Sequence, residues 1–329
     1  MYRRSLDFAR SGTFLAGLSA IDIALWDIKG KHFSLPIHTL LGGQKSKKIL
    51  PYATGLYFTK TENLKGKLVD EALEYARQGF KAIKMKVGLG VEKDVEHVKA
   101  IRKAIGSDIK LMVDSNHAFS YKEALEFAKK VESQNIAFFE EPVSPEYYDQ
   151  YAQLRSQTSI PIGNDRVSFT SCQFCTSDGA FIIRKFTKKT LIFFVAGGEC
   201  EYLRFGFKRL FDTKSVDIIQ PDVAASGGIT ELKRIANLAQ TYGTELIPHS
   251  WGTGIAIHAA MHLVANLDSI PGRMFQPYPY MELDRTENAL RDVLIKPLIK
   301  PEDGYLSVPD RPGLGIEVDE EALQKYRIF

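Results

Sequence analysis

Cysteine is scarce. The 329 residues contain three cysteines, Cys172, Cys175 and Cys200. So small and odd a number excludes a disulfide framework. Cys172 and Cys175 form a C-x-x-C, but no second ligand pair follows at short spacing, which argues against a structural zinc site. An excess of one charge is also missing: 43 Lys and Arg stand against 40 Asp and Glu, for a net charge of +3. With no basic block, neither a nucleic-acid partner nor a membrane surface is expected. Long hydrophobic runs are lacking too. The longest, "TLIFFVAGG", is far short of the roughly 20 residues that span a bilayer, and no signal-peptide core follows "MYRRSLDFARSG". No Gly-x-Gly-x-x-Gly follows a strand, which counts against a dinucleotide site. These absences describe a cytoplasmic, globular protein.

What is present is alternation. Residues 13–30 carry Phe14, Leu18, Ile21, Leu25 and Ile28 at helical spacing, with Gly30 and the later "LLGG" as stop signals. Strand-like runs follow at 49–54, 82–87, 109–113, 136–140, 216–220, 244–248 and, less cleanly, 273–278. Helical patterns lie between most of them, at 91–105, 121–133, 145–156, 227–241 and 253–266. Strands and helices taking turns imply parallel strands joined by crossover helices. Repeated seven or eight times, the pattern predicts an α/β fold closed as a (β/α)8 TIM barrel.

In a parallel barrel, chemistry sits at the C-terminal strand ends. "AIKMKV" delivers Lys84 and Lys86 on one face, because strand side chains alternate with period 2. "LMVDSN" ends in Asp114 and Asn116, "AFFEEP" in Glu140 and Glu141, "IIQPDV" in Asp222 and "ELIPHS" in His249. "PYMEL", beyond the last candidate strand, brings Glu282. Each residue alone has a plainer reading: lysine stems covering a rim, Asp114 as a helix cap, His249 as a core histidine. An ionisable residue at the same end of successive units points instead to one site. Carboxylate-only ligation suits a hard cation, Mg2+ above all, and not zinc. Such an ion polarises a substrate carboxylate while a neighbouring base removes the adjacent proton. Burial and a nearby cation favour the neutral form of a lysine base. Asp222 is placed to orient His249.

The motifs "KMK" (84–86), "VDSN" (113–116), "FFEEP" (138–142), "VAGGE" (195–199), "QPDVAASGG" (220–228) and "PHSWGTG" (248–254) resemble the enolase superfamily, in its mandelate racemase/muconate lactonizing branch. "SAIDIALWDIKGK" (19–31) is similar to the helix that closes that family's N-terminal domain. The resemblance implies Mg2+ held by Asp114, Glu140 and Glu199. It implies Lys86 and His249 as acid/base residues, the latter paired with Asp222, and Lys84 as a cationic neighbour on the substrate carboxylate. Glu282 would bond the substrate carboxylate or enediolate, and Asn116 and His117 would line the site. Within the branch, the likeness is greatest to acid-sugar enzymes: lactone cycloisomerases and dehydratases. The reaction implied is removal of the proton alpha to a carboxylate, then beta-elimination of a ring oxygen or of water. A small acid sugar or lactone would be the partner, in a homo-oligomer. Two other readings remain: a racemase or epimerase of the same superfamily, and a non-catalytic truncated barrel.

Two departures from the family pattern bear on this. The chain begins late in the capping domain, so the expected organisation is a remnant of a truncated α+β cap at 1–48, a barrel at 49–299, and a segment at 300–329 packing with the cap. Without its lid the site would be wetter and turnover impaired. Spacing is the second departure. Asp114 to Glu140 is 26 residues (140 − 114) and Asp222 to His249 is 27 (249 − 222), each one βα unit. Glu140 to Glu199 is 59 (199 − 140), too long by about a unit. Asp165 in "IPIGNDR" would fit one unit after Glu140 but moves the excess downstream. Spacing alone therefore decides nothing, and the "AGGE" motif selects Glu199. Residues 162–194 are then expected to be an insertion that divides one strand between "IP" and "VAGGE".

Overall fold

The structure is a computed structural model and describes residues 1–7, 9–158, 194–268 and 279–327. Eight parallel strands run in chain order: β1 (Lys48–Gly55), β2 (Ala82–Lys86), β3 (Lys110–Asp114), β4 (Ile136–Glu140), β5 (Phe194–Gly197), β6 (Ile218–Ile219), β7 (Glu245–Leu246) and β8 (Tyr280–Asp284). Each of β1 to β6 pairs with the next, and β8 returns to pair with β1. The sheet thus curls on itself as an α/β barrel; among the described residues no ladder joins β7 to β8.

Helices fill the crossovers and cover the outside. They are α1 (Thr13–Phe33), α2 (Ile37–Leu40), α3 (Leu64–Arg77), α4 (Val91–Ile105), α5 (Tyr121–Lys130), α6 (Tyr148–Thr158), α7 (Leu203–Asp212), α8 (Gly228–Tyr242) and α9 (Gly254–Ala265). Helix α5 starts on a capping box in which Ser120 and Glu123 satisfy each other's backbone donors. Beyond the barrel, α10 (Ala289–Val293), β9 (Ile295–Lys296), β10 (Leu306–Ser307), β11 (Glu317–Val318) and α11 (Glu320–Lys325) complete the chain. β10 adds antiparallel to the start of β1, and β9 pairs with β11. No helix among the described residues is long and apolar enough to cross a membrane.

Inside the barrel a single apolar layer plugs the lower half: Tyr52, Ala82, Met112, Phe138, Ala196, Ile218 and Ile247, one from each of seven successive strands or strand ends. Alternation then dictates what stands above it. Two residues on from these come Thr54, Lys84, Asp114, Glu140, Gln220 and His249, and two on from Tyr280, packed against the same layer, comes Glu282. The polar site is the next pleat of the same strands.

Three expectations are corrected, and one surface is unexpected. Helix α1 does not stop at Gly30; it runs to Phe33 and ends on left-handed Ser34. Gly30 instead allows close approach, since a Cβ there would lie 2.5 Å from the Cα of Gly313. The apolar stripe that marks α1 as a helix is itself largely exposed: Phe14, Ile21, Leu25 and Ile28 are 40%, 42%, 58% and 62% exposed. Docking uses a neighbouring mixed face, in which Leu15, Ser19, Ile23 and Gly30 are buried and Trp26 packs against the core. Ser19 Oγ accepts from the Gly227 amide at 2.9 Å, Asp22 Oδ2 from the Thr230 amide at 2.9 Å, and Trp26 Nε1 donates to Thr230 Oγ1 at 2.8 Å. Leu15, Ser19 and Ile23 stand at helical spacing on this face, so buried apolar groups and hydrogen bonds to the start of α8 dock the helix together. The eighth strand lies at 280–284, so Glu282 is within it, not beyond it; residues 273–278 lie outside the described residues. Phe194, assigned to the insertion, is the first residue of β5 and pairs with Phe138.

Asp165, Cys172, Cys175, "IP" and the rest of the expected insertion lie outside the described residues. The strand that follows is firmly seated: Asp217 Oδ2 accepts from the Val195 amide at 3.0 Å, and Asp217 Oδ1 pairs with Arg155 of α6 at 2.7 Å.

Candidate active site

Register sets the first row of the site. Lys86 of β2 lies opposite Asp114 of β3, and Asp114 opposite Glu140 of β4. Lys84 Nζ lies 2.6 and 2.7 Å from the two oxygens of Glu140, 2.9 Å from Glu282 Oε1 and 3.5 Å from Asp114 Oδ2. Lys86 Nζ donates to Asp114 Oδ2 at 2.5 Å and to Asn116 Oδ1 at 2.7 Å. Across the barrel mouth, Asp222 and His249 are joined by a parallel β-bridge, and His249 Nδ1 lies 2.6 Å from Asp222 Oδ2. The other ring nitrogen, Nε2, faces Glu199 Oε2 at 3.4 Å and Glu282 Oε2 at 3.9 Å. Glu199 follows left-handed Gly198, whose conformation turns the chain out of β5 toward the site.

The nine residues expected at the site from sequence, Lys84, Lys86, Asp114, Asn116, His117, Glu140, Glu199, Asp222 and Glu282, together with His249, all stand at this one end of the barrel. His117 turns to one side: its Nε2 faces Glu141 Oε2 at 3.1 Å.

Sequence reasoning passed over the residues that hold these acids. Gln220 Nε2 donates to Glu140 Oε2 at 2.7 Å. Thr54 Oγ1 donates to Glu282 Oε1 at 2.6 Å, and the Ser250 amide to Glu282 Oε2 at 3.0 Å. The signal was available: Thr54 is two residues on from plug residue Tyr52, and Gln220 two on from Ile218. Tyr57, whose ring lies 5.1 Å from Lys86 Nζ, had no such signal, because it follows the strand.

The electrostatics are those of crowded carboxylates. Burial, with the nearby charges of Asp114, Glu282 and Glu199, pushes Glu140 up to about 8 despite the opposing pull of Lys84. Burial disfavours the charge on Lys84, but Glu140 and Glu282 outweigh it and hold the ammonium well above its usual range. Lys86 is likewise held up: burial and Lys84 lower it, and Asp114 and Tyr57 raise it. The sequence-level expectation that Lys86 gives up its proton easily is therefore not met here, because the Asp114 carboxylate sits directly on it. Burial lowers His249, but the Asp222 hydrogen bond and the charges of Glu282 and Glu199 raise it to about 10.

Asp114, Glu140, Glu141, Glu199, Asp222 and Glu282 outnumber the cations Lys84, Lys86 and His249 among them. These carboxyl groups, oxygen donors crowded on adjacent strand ends where burial and one another make their charge costly, fit a hard divalent cation.

Comparison with known proteins places this arrangement. A family model described as enolase C-terminal domain-like matches residues 67–174 and 182–322, and the mandelate racemase/muconate lactonizing enzyme N-terminal domain matches residues 4–42. The chain belongs to the enolase superfamily. Within the superfamily it is 37% identical over 331 residues to the D-galactarolactone cycloisomerase of Agrobacterium fabrum, covering 100% of this chain and 78% of that protein. It is also 37% identical to the arabinonate dehydratase of Saccharolobus solfataricus, covering 99% of this chain and 76% of the relative. Among solved structures, the 3,6-anhydro-D-galactonate cycloisomerase of Zobellia galactanivorans is 54% identical with a TM-score of 0.82, over 99% of this chain and 79% of that one. Superfamily relatives named as cycloisomerases and dehydratases of acid sugars thus surround this chain, and support a lyase or isomerase.

Proposed function

We propose that this protein opens the ring of a cyclic acid sugar by beta-elimination. The proton alpha to the carboxylate is removed, the beta ring oxygen leaves, and the enol product becomes a keto-deoxy acid. One such elimination would serve both substrates named for the cycloisomerase relatives: in a 3,6-anhydro sugar acid the oxygen beta to the carboxylate is a ring ether, and in a sugar-acid lactone it is the ring ester oxygen. Dehydration of an open-chain acid sugar uses the same first step and expels water.

One observation carries the reading. Lys86 and the Asp222–His249 pair stand on separate strand ends, with Lys84 and the carboxylates between them. Two proton-transfer groups on different sides of one anion-binding centre suit removal of a proton at one position and delivery of a proton to the departing oxygen at the next. Asp222 holds the His249 ring so that Nε2 faces the centre. Lys84 presents a fixed positive charge for the substrate carboxylate, Glu282 accepts from the substrate, and Asn116 and His117 border it. Asp114, Glu140 and Glu199 would hold Mg2+, which supplies positive charge to a substrate carboxylate whose adjacent C–H is to ionise. Lys86 is held protonated by Asp114, and would be freer to give up its proton wherever that carboxylate is engaged elsewhere.

The test is incubation with Mg2+ and a panel of 3,6-anhydro-D-galactonate, galactarolactone, arabinonate and galactonate in D2O, followed by NMR. The expected result is a keto-deoxy acid from a cyclic substrate, abolished by Lys86→Ala or His249→Ala. Solvent exchange at the alpha carbon without elimination would sink the proposal in favour of a racemase. Turnover of open-chain acids alone would make the protein a dehydratase.

A further inference from the structure

Beside the centre lies a cluster of which the proposed reaction uses no member as acid, base or Mg2+ ligand. His117 follows β3, Glu141 follows β4 and Cys200 follows β5, so three adjacent strand ends each contribute one side chain. We propose that His117, Glu141 and Cys200 form a second metal site, for one thiophilic divalent ion such as Zn2+.

The distances fit. His117 Nε2 is 3.1 Å from Glu141 Oε2, Cys200 Sγ is 3.7 Å from His117 Nε2, and Cys200 Sγ is 3.8 Å from Glu141 Oε1. Zinc bond lengths of about 2.0 Å to nitrogen or oxygen and about 2.3 Å to sulfur, at tetrahedral angles, require ligand atoms roughly 3.3–3.6 Å apart. The two contacts of Glu141 use different oxygens; taking one ligand atom from each residue, the three lie within 4.8 Å of one another, so one ion would draw them together by up to roughly 1 Å, within the reach of side-chain rotation. Cys200 is exposed while Glu141 is buried, so the ion enters from solvent and keeps one position open to water or a ligand.

The support around the cluster is built for ligation. The carbonyl of Val143 lies 3.3 Å from His117 Nδ1. An Nδ1–H bonded there fixes the tautomer and leaves the Nε2 lone pair directed at the cluster, the usual outer contact of a metal-bound imidazole. That lone pair then faces a carboxylate oxygen, an arrangement that is repulsive until a proton or a metal ion lies between them. Asn116 Nδ2 donates to Glu141 Oε2 at 3.3 Å, and both the Ser115 hydroxyl and the His117 amide donate to the Glu141 carbonyl, at 2.7 and 2.8 Å. These bonds hold His117 and Glu141 in left-handed backbone conformations, φ 66° and 45°, that non-glycine residues rarely adopt. A sulfur, nitrogen and oxygen donor set is softer than the all-oxygen set of Asp114, Glu140 and Glu199, so the two positions select different ions. Cys200 would bind as the thiolate, its proton passing to solvent.

The experiment is a Co2+ titration of the full chain with Mg2+ saturating. Cobalt on a thiolate gives a near-ultraviolet charge-transfer band that oxygen ligation does not. The band is expected to grow to one equivalent, to be bleached by Zn2+, to survive Cys172→Ser/Cys175→Ser and to vanish in Cys200→Ser. His117→Ala, with its fold checked by circular dichroism, should weaken Co2+ binding at least tenfold. Absence of the band, or a band that persists without Cys200, overturns the proposal. Because the readout is spectroscopic, failure of the acid-sugar reaction would leave this result untouched.

Discussion

The ammonium of Lys84 bridges Glu140 and Glu282, 2.6 Å from one carboxylate and 2.9 Å from the other, with all three side chains out of reach of solvent. A lysine 1% exposed is sustained only by such partners. Its removal leaves two buried carboxylates uncompensated, so Lys84→Met is expected to destabilise the metal-free protein by about 3–5 kcal/mol. Saturating Mg2+ should recover part of that loss. Urea unfolding with and without Mg2+ checks this, and a cost below about 1 kcal/mol would contradict the ion network.

His249 is expected to stay protonated in the metal-free protein until about pH 10. The sign follows from a raised value: the stability contributed by its partners is fully present below about pH 6.5. It is lost as pH rises through about 10. Asp222→Asn should shift the His249 transition downward. NMR titration of the imidazole signals reads both, and a ring that titrates near 6.5 in the wild type would refute the coupling.

Lys86→Ala and His249→Ala are expected to lower kcat by about 10²–10⁴-fold while leaving the fold intact, the range typical of a lost general acid or base. Asp222→Asn should also reduce kcat, with a changed pH profile, since it acts through His249. Steady-state kinetics on the cyclic acid sugar turned over in the panel provide the measurement. Undiminished kcat in either alanine variant would remove that residue from the reaction.

Gln220→Leu removes the donor that orients Glu140 Oε2. Outer partners of this kind are worth about 10–100-fold in metal affinity. Calorimetric titration with Mg2+ should show that loss, and a larger one for Glu199→Gln. Unchanged affinity in Glu199→Gln would return the third ligand to open question and make Asp165 the next variant to test.

The exposed stripe on α1 predicts tolerance where periodicity predicts damage. Leu25→Glu and Ile28→Lys, at sites 58% and 62% exposed, should each change the folding stability of this chain by no more than about 0.5 kcal/mol. Ile23→Ala, at a buried site on the same helix, should cost about 2–5 kcal/mol. Chemical denaturation of the three variants separates the two faces.

Much of the architecture was legible because barrel strands repeat with period 2. Once Lys84 and Lys86 share a face, and Asp114, Glu140 and His249 end their own strands, the site follows. The same rule reached Thr54 and Gln220, but their side chains are uncharged and so drew no attention. Helix α1 was legible as a helix but not as a surface, since it has apolar residues on two faces, and the one that docks is the one where Leu15 and Ile23 are joined by Ser19 and Asp22 accepting, and Trp26 donating, hydrogen bonds to the start of α8.

By itself, then, the sequence determined the strand–helix alternation, the end of the barrel that carries charge, and which ionisable residues stand there, because local periodicity and strand ends encode these. Only the tertiary structure decided which charges neutralise one another. Lys84 joins Glu140 and Glu282, Lys86 is tied to Asp114, and His117 turns toward Glu141 and Cys200. Those choices depend on distances between strands far apart in the chain, set by register and by the curl of the sheet.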